Sequence, residues 1–310
     1  MPKVSIALTT YNHEKYLAAA LDSIFDQNLD CELEVVIGND CSTDGTSKII
    51  KEYQSKYPNI KVLNYHYNQG YTVNFDKTLR ACNGQYISIF DGDDIMLPNK
   101  LYKQIEYLEN HLDCVMVTHQ NRAFDSSNGE TIRFLNPSKK KEFYFIEDLI
   151  LHGSIFGNSS KMFRKSAYPK DGIDYNIKHI ADWYITMLIV KQGKIGYIDE
   201  CLVDYRLHQE SIMKKIRGDM HFIDKIYILN QISRIFNKKY DHLFYNQEAY
   251  AHLTRGIYYY EEKQIGNARS DFMKSILKSL FYSPSPYIRL ILTFFPRSLF
   301  NIIFKRGKII

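Results

Sequence analysis

The sequence predicts an α/β protein, a mostly parallel sheet flanked by helices and followed by an all-helical C-terminal extension. Three observations carry this expectation. Over roughly the first 120 residues, short apolar runs alternate with amphipathic stretches of helix length, the pattern of strands joined by crossover helices. Polar clusters stand directly behind three of the apolar runs, where an open parallel sheet gathers its ligand-binding residues. After about Gly218 the strand-like runs cease and helical stretches follow one another. At 310 residues and 45% hydrophobic content the chain can bury one large domain and an appended one, which excludes general disorder.

Taken in order, strands are expected at Val4 to Leu8, Leu33 to Gly38, Ile60 to Tyr65, Tyr86 to Phe90 and Cys114 to Thr118. Helices are expected between them at Glu14 to Phe25, Gly45 to Tyr57, Val73 to Ala81 and Lys100 to Leu112. Ser42, Thr43 and Asp44 read as an N-terminal cap, and Pro98 suits the first turn of the fourth helix. From Asn121 to Asp182 periodicity weakens, as in a solvated insertion, apart from a short strand at KMFRKS. A helix beginning near Asp182 and a strand at Ile195 to Asp199 then close the α/β part. The helices expected beyond it are His221 to Phe236, Gln247 to Glu262 and Asn267 to Leu280, the last two spaced like one tetratricopeptide hairpin.

Five scattered cysteines with no C-x-x-C spacing indicate neither a disulfide framework nor a zinc site, and fit a reducing compartment. Met1 runs straight into VSIALTT without a signal-like segment, so a cytoplasmic location is expected. The formal charge of +5 is uneven: from Lys214 onward 17 Lys and Arg stand against 7 Asp and Glu. The final run from Tyr287 is apolar and basic but broken by Pro296 and Arg297, which suits either peripheral contact with the inner face of a plasma membrane or a helix packed on the catalytic domain, rather than a span. No nucleic-acid module accompanies that charge, so no nucleic-acid partner is expected.

The chemistry concentrates behind the strands. Thr9-Thr10-Tyr11-Asn12 follows the first, Asn39-Asp40-Cys41 the second and Asp91-Gly92-Asp93-Asp94 the fourth. Carboxylates crowded on one turn raise each other's pKa and call for a cation, and hard oxygen ligands suit Mg²⁺ or Mn²⁺ with a diphosphate completing the shell. Tyr11 can stack on a base and Asp40 can accept hydrogen bonds from it, so the three clusters together read as a nucleotide pocket.

VSIALTTYNHEKYLAAALDSIFDQ, ELEVVIGNDCSTDGTSKII and YISIFDGDDIMLP resemble the opening of the inverting glycosyltransferase family 2, whose fold is the Rossmann-like GT-A fold. The chain departs from that family's usual pattern at Thr9, where Pro is common, and at Asn39 and Cys41, where Asp and Gly are. The resemblance implies that Thr9, Tyr11, Asn12 and Asp40 hold the nucleoside of a nucleotide-sugar donor, and that Asp91 and Gly92 belong to the D-x-D turn. Asp93 is implied as principal metal ligand, with Asp91 beside it. His179-Ile-Ala-Asp182-Trp resembles the family's Glu-Asp motif, with Ala181 in place of Glu, and makes Asp182 the general base. Tyr205-Arg206-Leu207-His208, read as a mobile stretch behind the last strand, implies Arg206 and His208 as diphosphate contacts and His208 as a further metal ligand.

These implications divide the chain into a GT-A catalytic domain at 1–215, with a nucleotide-sugar half of about 1–98 and an acceptor half of about 99–215, and a helical domain at 216–310. The expected reaction is transfer of a sugar, from a UDP-sugar donor, to a glycan or lipid-linked saccharide acceptor in bacterial cell-surface glycan synthesis. A homodimer through the helical domain is a further expectation. Two other readings stay open: a sugar nucleotidyltransferase, which would want a Gly-rich basic loop where TTYNHEKY stands, and a non-catalytic glycan-binding or scaffold protein of the same fold.

Overall fold

The computed structural model describes residues 3–135, 137, 140–208 and 218–279, together with 287, 290 and 293. The chain divides into two compact units, residues 1–149 with 153–211, and residues 150–152 with 212–310.

The first unit is built on a ten-stranded sheet. Its strands are β1 (Val4–Thr10), β2 (Leu33–Asn39), β3 (Ile60–Asn64), β4 (Tyr86–Asp91), β5 (Ile95–Met96), β6 (Cys114–Asp125), β7 (Thr131–Leu135), β8 (Phe143–Tyr144), β9 (Met162–Arg164) and β10 (Lys194–Leu207). Helices α1 (Leu17–Phe25), α2 (Thr46–Lys56), α3 (Tyr71–Ala81), α4 (Lys100–Asn110), α5 (Ile146–His152) and α6 (Ala181–Val190) intervene. The strand order is β3-β2-β1-β4-β9-β6-β10-β5, with β7 on β6 and β8 on β10. Pairing is parallel from β3 through β4 and between β6 and β10, while β9 inserts antiparallel between β4 and β6.

β1 is buried along its whole length, so the small residues Ser5, Ala7 and Thr9 that alternate with Val4, Ile6 and Leu8 are inside as well. α1 buries Leu17, Ala20, Leu21 and Ile24, spaced three and four apart, against that strand layer. The Asp44 carboxylate accepts the Thr46 N–H at 3.0 Å and so caps α2, as its sequence neighbourhood predicts. The chain leaves β1 and β4 on opposite sides, because β2 pairs with one edge of β1 and β4 with the other. That reversal of direction is the point at which such sheets bind ligands.

Three sequence expectations change. Pro98 precedes α4 instead of lying in its first turn, and Asn99 before the helix takes a left-handed φ of 64°. β6 and β10 run far beyond the expected Thr118 and Asp199, so His119 to Asp125 and Glu200 to Leu207 are strand. Tyr205, Arg206 and Leu207 are therefore the end of β10 and not a loop behind it.

The second unit contains α7 (Gly218–Ile235), α8 (Phe244–Glu261) and α9 (Ile265–Ser279). α8 and α9 form the expected hairpin around Tyr260, Ala268 and Phe272. They approach closely at Gly256, where a Cβ would come within 2.6 Å of the Phe272 ring. Asp271 on α9 accepts from both His252 and Arg255 on α8, the guanidinium binding in bidentate fashion. Among the described residues no helix is long and apolar enough to cross a membrane. The basic apolar run expected at a membrane surface lies, but for Tyr287, Leu290 and Thr293, outside the described residues.

Candidate active site

The expected residues meet at the carboxyl rim of the sheet on either side of β1. Thr9 is in register with Gly38 of β2 and with Asp91 of β4, and its hydroxyl donates to Asp91 Oδ1 at 3.1 Å. Thr10 pairs with Asn39, and the Asp40 N–H continues the ladder by donating to the Thr10 carbonyl at 3.0 Å. Asp40 and Asp91 thus leave the sheet two strand spacings apart, about 10 Å. Tyr11 is exposed at this rim, with 40% of its surface accessible.

Two of the expected contacts spend their polar groups on the protein itself. Asn12, at φ 55°, accepts from the Thr43 N–H at 2.8 Å and its backbone N–H donates to Ser42 Oγ at 3.0 Å, tying the loop after β1 to the loop after β2. Asp40 accepts the N–H groups of Gln69 at 2.6 Å and Gly70 at 3.0 Å and is 3% exposed. Burial raises its pKa against those two hydrogen bonds. About half of its acceptor capacity is then left for a base or ribose.

The Asp91-Gly92-Asp93-Asp94 turn is held by segments that the sequence reads as insertion and loop. Ser159 Oγ accepts from the Asp91 N–H at 3.1 Å and donates to Asp94 Oδ2 at 2.6 Å. Asn158 Nδ2 donates to Asp91 Oδ1 at 3.2 Å. From β10, the Arg206 N–H reaches Asp94 Oδ1 at 3.0 Å and its Nε reaches the Asp93 carbonyl at 2.7 Å, while the guanidinium packs over Tyr16 and Phe124. Arg206 braces the turn. Gly92 allows a close approach, since a Cβ there would lie 3.0 Å from Thr10 Cβ and 3.1 Å from His13 Nδ1 and those neighbours would have to give by a few tenths of an ångström.

The electrostatics separate the three carboxyls. Burial, then the charge of Asp93, pushes Asp91 up to about 7, with Asp182 adding to the effect. Burial together with the charges of Asp93 and Asp91 raises Asp94 well above the usual carboxylate range. Asp93 goes the other way: against the cost of burial, the hydrogen bond from His208 and the nearby His13 imidazole hold it below the ordinary value. His208 Nε2 lies 2.9 Å from Asp93 Oδ2 and His13 Nε2 lies 3.9 Å from the same oxygen. Among the described residues no three His, Cys, Asp or Glu side chains are placed to hold an ion by themselves.

Asp182 lies in the first turn of α6, where its carboxylate meets Ser154 Oγ at 3.2 Å and the buried Lys161 Nζ at 3.3 Å. Lys161 joins it to the turn, because the Lys161 carbonyl accepts from the Ile89 N–H of β4 at 3.0 Å. Asp91 and Asp182 both lie within electrostatic reach of the Tyr71 and Tyr205 phenols, which burial raises first and these charges raise further. The D-x-D turn and Asp182 therefore share one neighbourhood.

The residues that sequence reasoning misses are His13, Asn158, Ser159 and Lys161. Asn158 and Ser159 sit in a stretch without periodicity, and nothing in the local sequence marks them. His13 lies within TTYNHEKY and Lys161 opens the expected strand KMFRKS, and those positions are the signal that could have singled them out.

The sequence model described as "Glycosyl transferase family 2" matches residues 5–170, more than half of the chain. The chain belongs to this family. An uncharacterized protein of Mycobacterium tuberculosis is 32% identical over 211 residues, covering 67% of this chain and 60% of its own length. The chain thus spans about 60% of that relative. The putative teichuronic acid biosynthesis glycosyltransferase TuaG of Bacillus subtilis is 28% identical over 213 residues, covering 68% of this chain and 81% of its own. The structure of Staphylococcus aureus TarS 1-349 in complex with UDP-GlcNAc aligns with a TM-score of 0.66 at 18% identity, over 94% of this chain and 89% of that one. The fold of this family 2 chain is accordingly GT-A, with helical structure C-terminal to the sheet.

Proposed function

We propose that the chain is an inverting glycosyltransferase that moves one sugar from a nucleoside-diphosphate donor, a UDP-sugar, to an acceptor hydroxyl during synthesis of a cell-surface glycan. The observation that carries this reading is the common neighbourhood of the D-x-D turn and Asp182, with Asp40 and Tyr11 on the other side of β1 at the same rim. Family membership, the UDP-GlcNAc complex of TarS and the printed role of TuaG support it.

In this account Tyr11 stacks on the base, Asp40 and Thr9 border the nucleoside, and the diphosphate crosses the Asp91–Asp93 turn. The sugar then lies toward Asp182, whose carboxylate takes the proton of the acceptor hydroxyl as it attacks the anomeric carbon. Lys161 and Ser154 orient that carboxylate. The acceptor is a glycan or lipid-linked saccharide, bound by the half of the α/β unit beyond residue 98.

The donor set fits Mg²⁺ or Mn²⁺. Cis donors about 2.1 Å from an octahedral ion stand about 3 Å apart; Asp93 Oδ2 and His208 Nε2 are 2.9 Å apart, a separation that a hydrogen bond occupies otherwise. Asp91, crowded by Asp93, gains from any added positive charge. Such ions keep several positions for water and phosphate oxygens, so two protein ligands suffice. When bound, the ion neutralises charge on the departing diphosphate.

The test is incubation with a panel of UDP- and GDP-sugars and measurement of released nucleoside diphosphate, with Mn²⁺ or with EDTA. Metal-stimulated release from a UDP-sugar is expected. Release of pyrophosphate from UTP and a sugar phosphate instead would overturn the assignment in favour of a nucleotidyltransferase.

A further inference from the structure

Helix α9 lies far from the chemistry in sequence, and its two faces differ. Ala268, Asp271, Phe272, Ser275 and Ile276 recur at helical spacing and are buried, with Phe272 packed on α8 and Ser275 Oγ donating to the Ala249 carbonyl of α8 at 2.7 Å. A helix whose other face meets only water carries polar residues there. Met273 and Leu277 occupy that face instead, one turn apart, 47% and 64% exposed. Lys274 and Lys278, both exposed, each follow them by one position and form one flank of the apolar pair. Lys278 is paired with Glu248, and its Nζ lies 5.8 Å from the centre of the exposed Tyr245 ring. Lys274 has no acidic partner among the described residues. From Phe272 to the end the sequence holds seven Lys and Arg and no Asp or Glu, so this face opens a stretch of a single charge sign.

We infer that the Met273–Leu277 face of α9 docks on an anionic lipid bilayer, the two apolar side chains entering the interface and the lysine flank meeting headgroup phosphates. An apolar strip edged by lysines is the pattern of a helix that lies in the plane of such a surface, where each basic residue adds attraction. The lysine stems can follow the apolar strip while their ammonium groups stay at headgroup level. A second copy of the chain is the poorer occupant. Stable protein interfaces bury about 800 Å² per partner, well beyond what these side chains offer, and pairing of like faces would set basic charge against basic charge. The inference goes beyond the sugar-transfer reading and does not depend on it.

The experiment sediments the full chain with vesicles of phosphatidylcholine alone, or of phosphatidylcholine and phosphatidylglycerol in equal parts, at low and high salt. The wild type should partition onto the anionic vesicles, far less onto the neutral ones, and less at high salt. Met273→Ser combined with Leu277→Ser should lower partition onto anionic vesicles about tenfold, and Lys274→Gln should lower it about fivefold at low salt. All three positions are exposed, so folding should survive, which circular dichroism checks. Leu277→Trp supplies a readout that misfolding cannot mimic: partition should strengthen and the indole emission should shift to the blue when anionic vesicles are added. Equal partition onto both kinds of vesicle, wild-type partition in the double variant, or bound Leu277→Trp protein without an emission shift would each overturn the inference. A wild-type dimer in sedimentation velocity that the double substitution dissociates would overturn it in favour of a second copy.

Discussion

Replacing Lys100 with methionine should make the protein more stable at neutral pH and flatten the dependence of its stability on pH above 7. Lys100 begins α4, directly behind the acidic turn, yet it is fully buried, with Nζ 2.9 Å from Ser88 Oγ of β4. Burial lowers its pKa from 10.5 to about 7, opposed only by the charge of Asp94. Between about 7 and 10.5 the unfolded chain holds a proton that the folded chain has released, so stability rises with pH across that window and is lowest, and flat, below it. The full displacement is worth about 5 kcal/mol. Methionine removes this cost but leaves the Ser88 hydroxyl without its donor, at about 1–3 kcal/mol, so a net gain of about 2 kcal/mol is expected at pH 6. Urea unfolding at pH 7.5 and 9.5 reads the sign, because the wild type should gain about 2 to 3 kcal/mol on the variant between the two. If the difference between the two proteins is the same at both pH values, Lys100 is not a buried, depressed lysine and the reasoning fails.

Two further outcomes follow from the same contacts. Asp93→Asn should weaken UDP binding at least tenfold in Mn²⁺ and leave it unchanged in EDTA, measured by calorimetry; equal affinities in Mn²⁺ would remove Asp93 as metal ligand. Asp76→Ala should lower stability by about 3–5 kcal/mol in urea unfolding, because this buried carboxylate accepts from Arg80, Tyr168, Ile173 and Tyr175 and fastens residues 168–175 to α3.

The half of the sheet from β1 to β4 is legible because β1 and β4 are buried almost throughout, so their sequences are runs of apolar and small residues, Ser5 and Ser88 being buried with the rest. The polar residues that follow such runs stand out, and Thr9, Asp40 and the Asp91–Asp94 turn do lie together at one rim. The sequence ends β6 at Thr118 because His119 and Asn121 look like loop, whereas both are buried within the strand. β10 was cut short in the same way, since Asp199 and Glu200 interrupt it before Leu202 and Val203 return to the core. Lys100 was invisible for a related reason, as a lysine opening an amphipathic helix reads as solvent-facing. The turn from Asn158 to Ser160 carries no period and acts through distant partners, Asp91, Asp94 and Thr118, so only a folded chain reveals it.

Catalysis as proposed requires Asp182 to act on a donor held at the D-x-D turn, and the most direct test is Asp182→Asn assayed for both UDP-sugar affinity and transfer. Affinity should stay within about twofold of wild type while turnover falls about 10³-fold, the usual worth of a positioned base. Undiminished turnover, or turnover and affinity lost together, would contradict it.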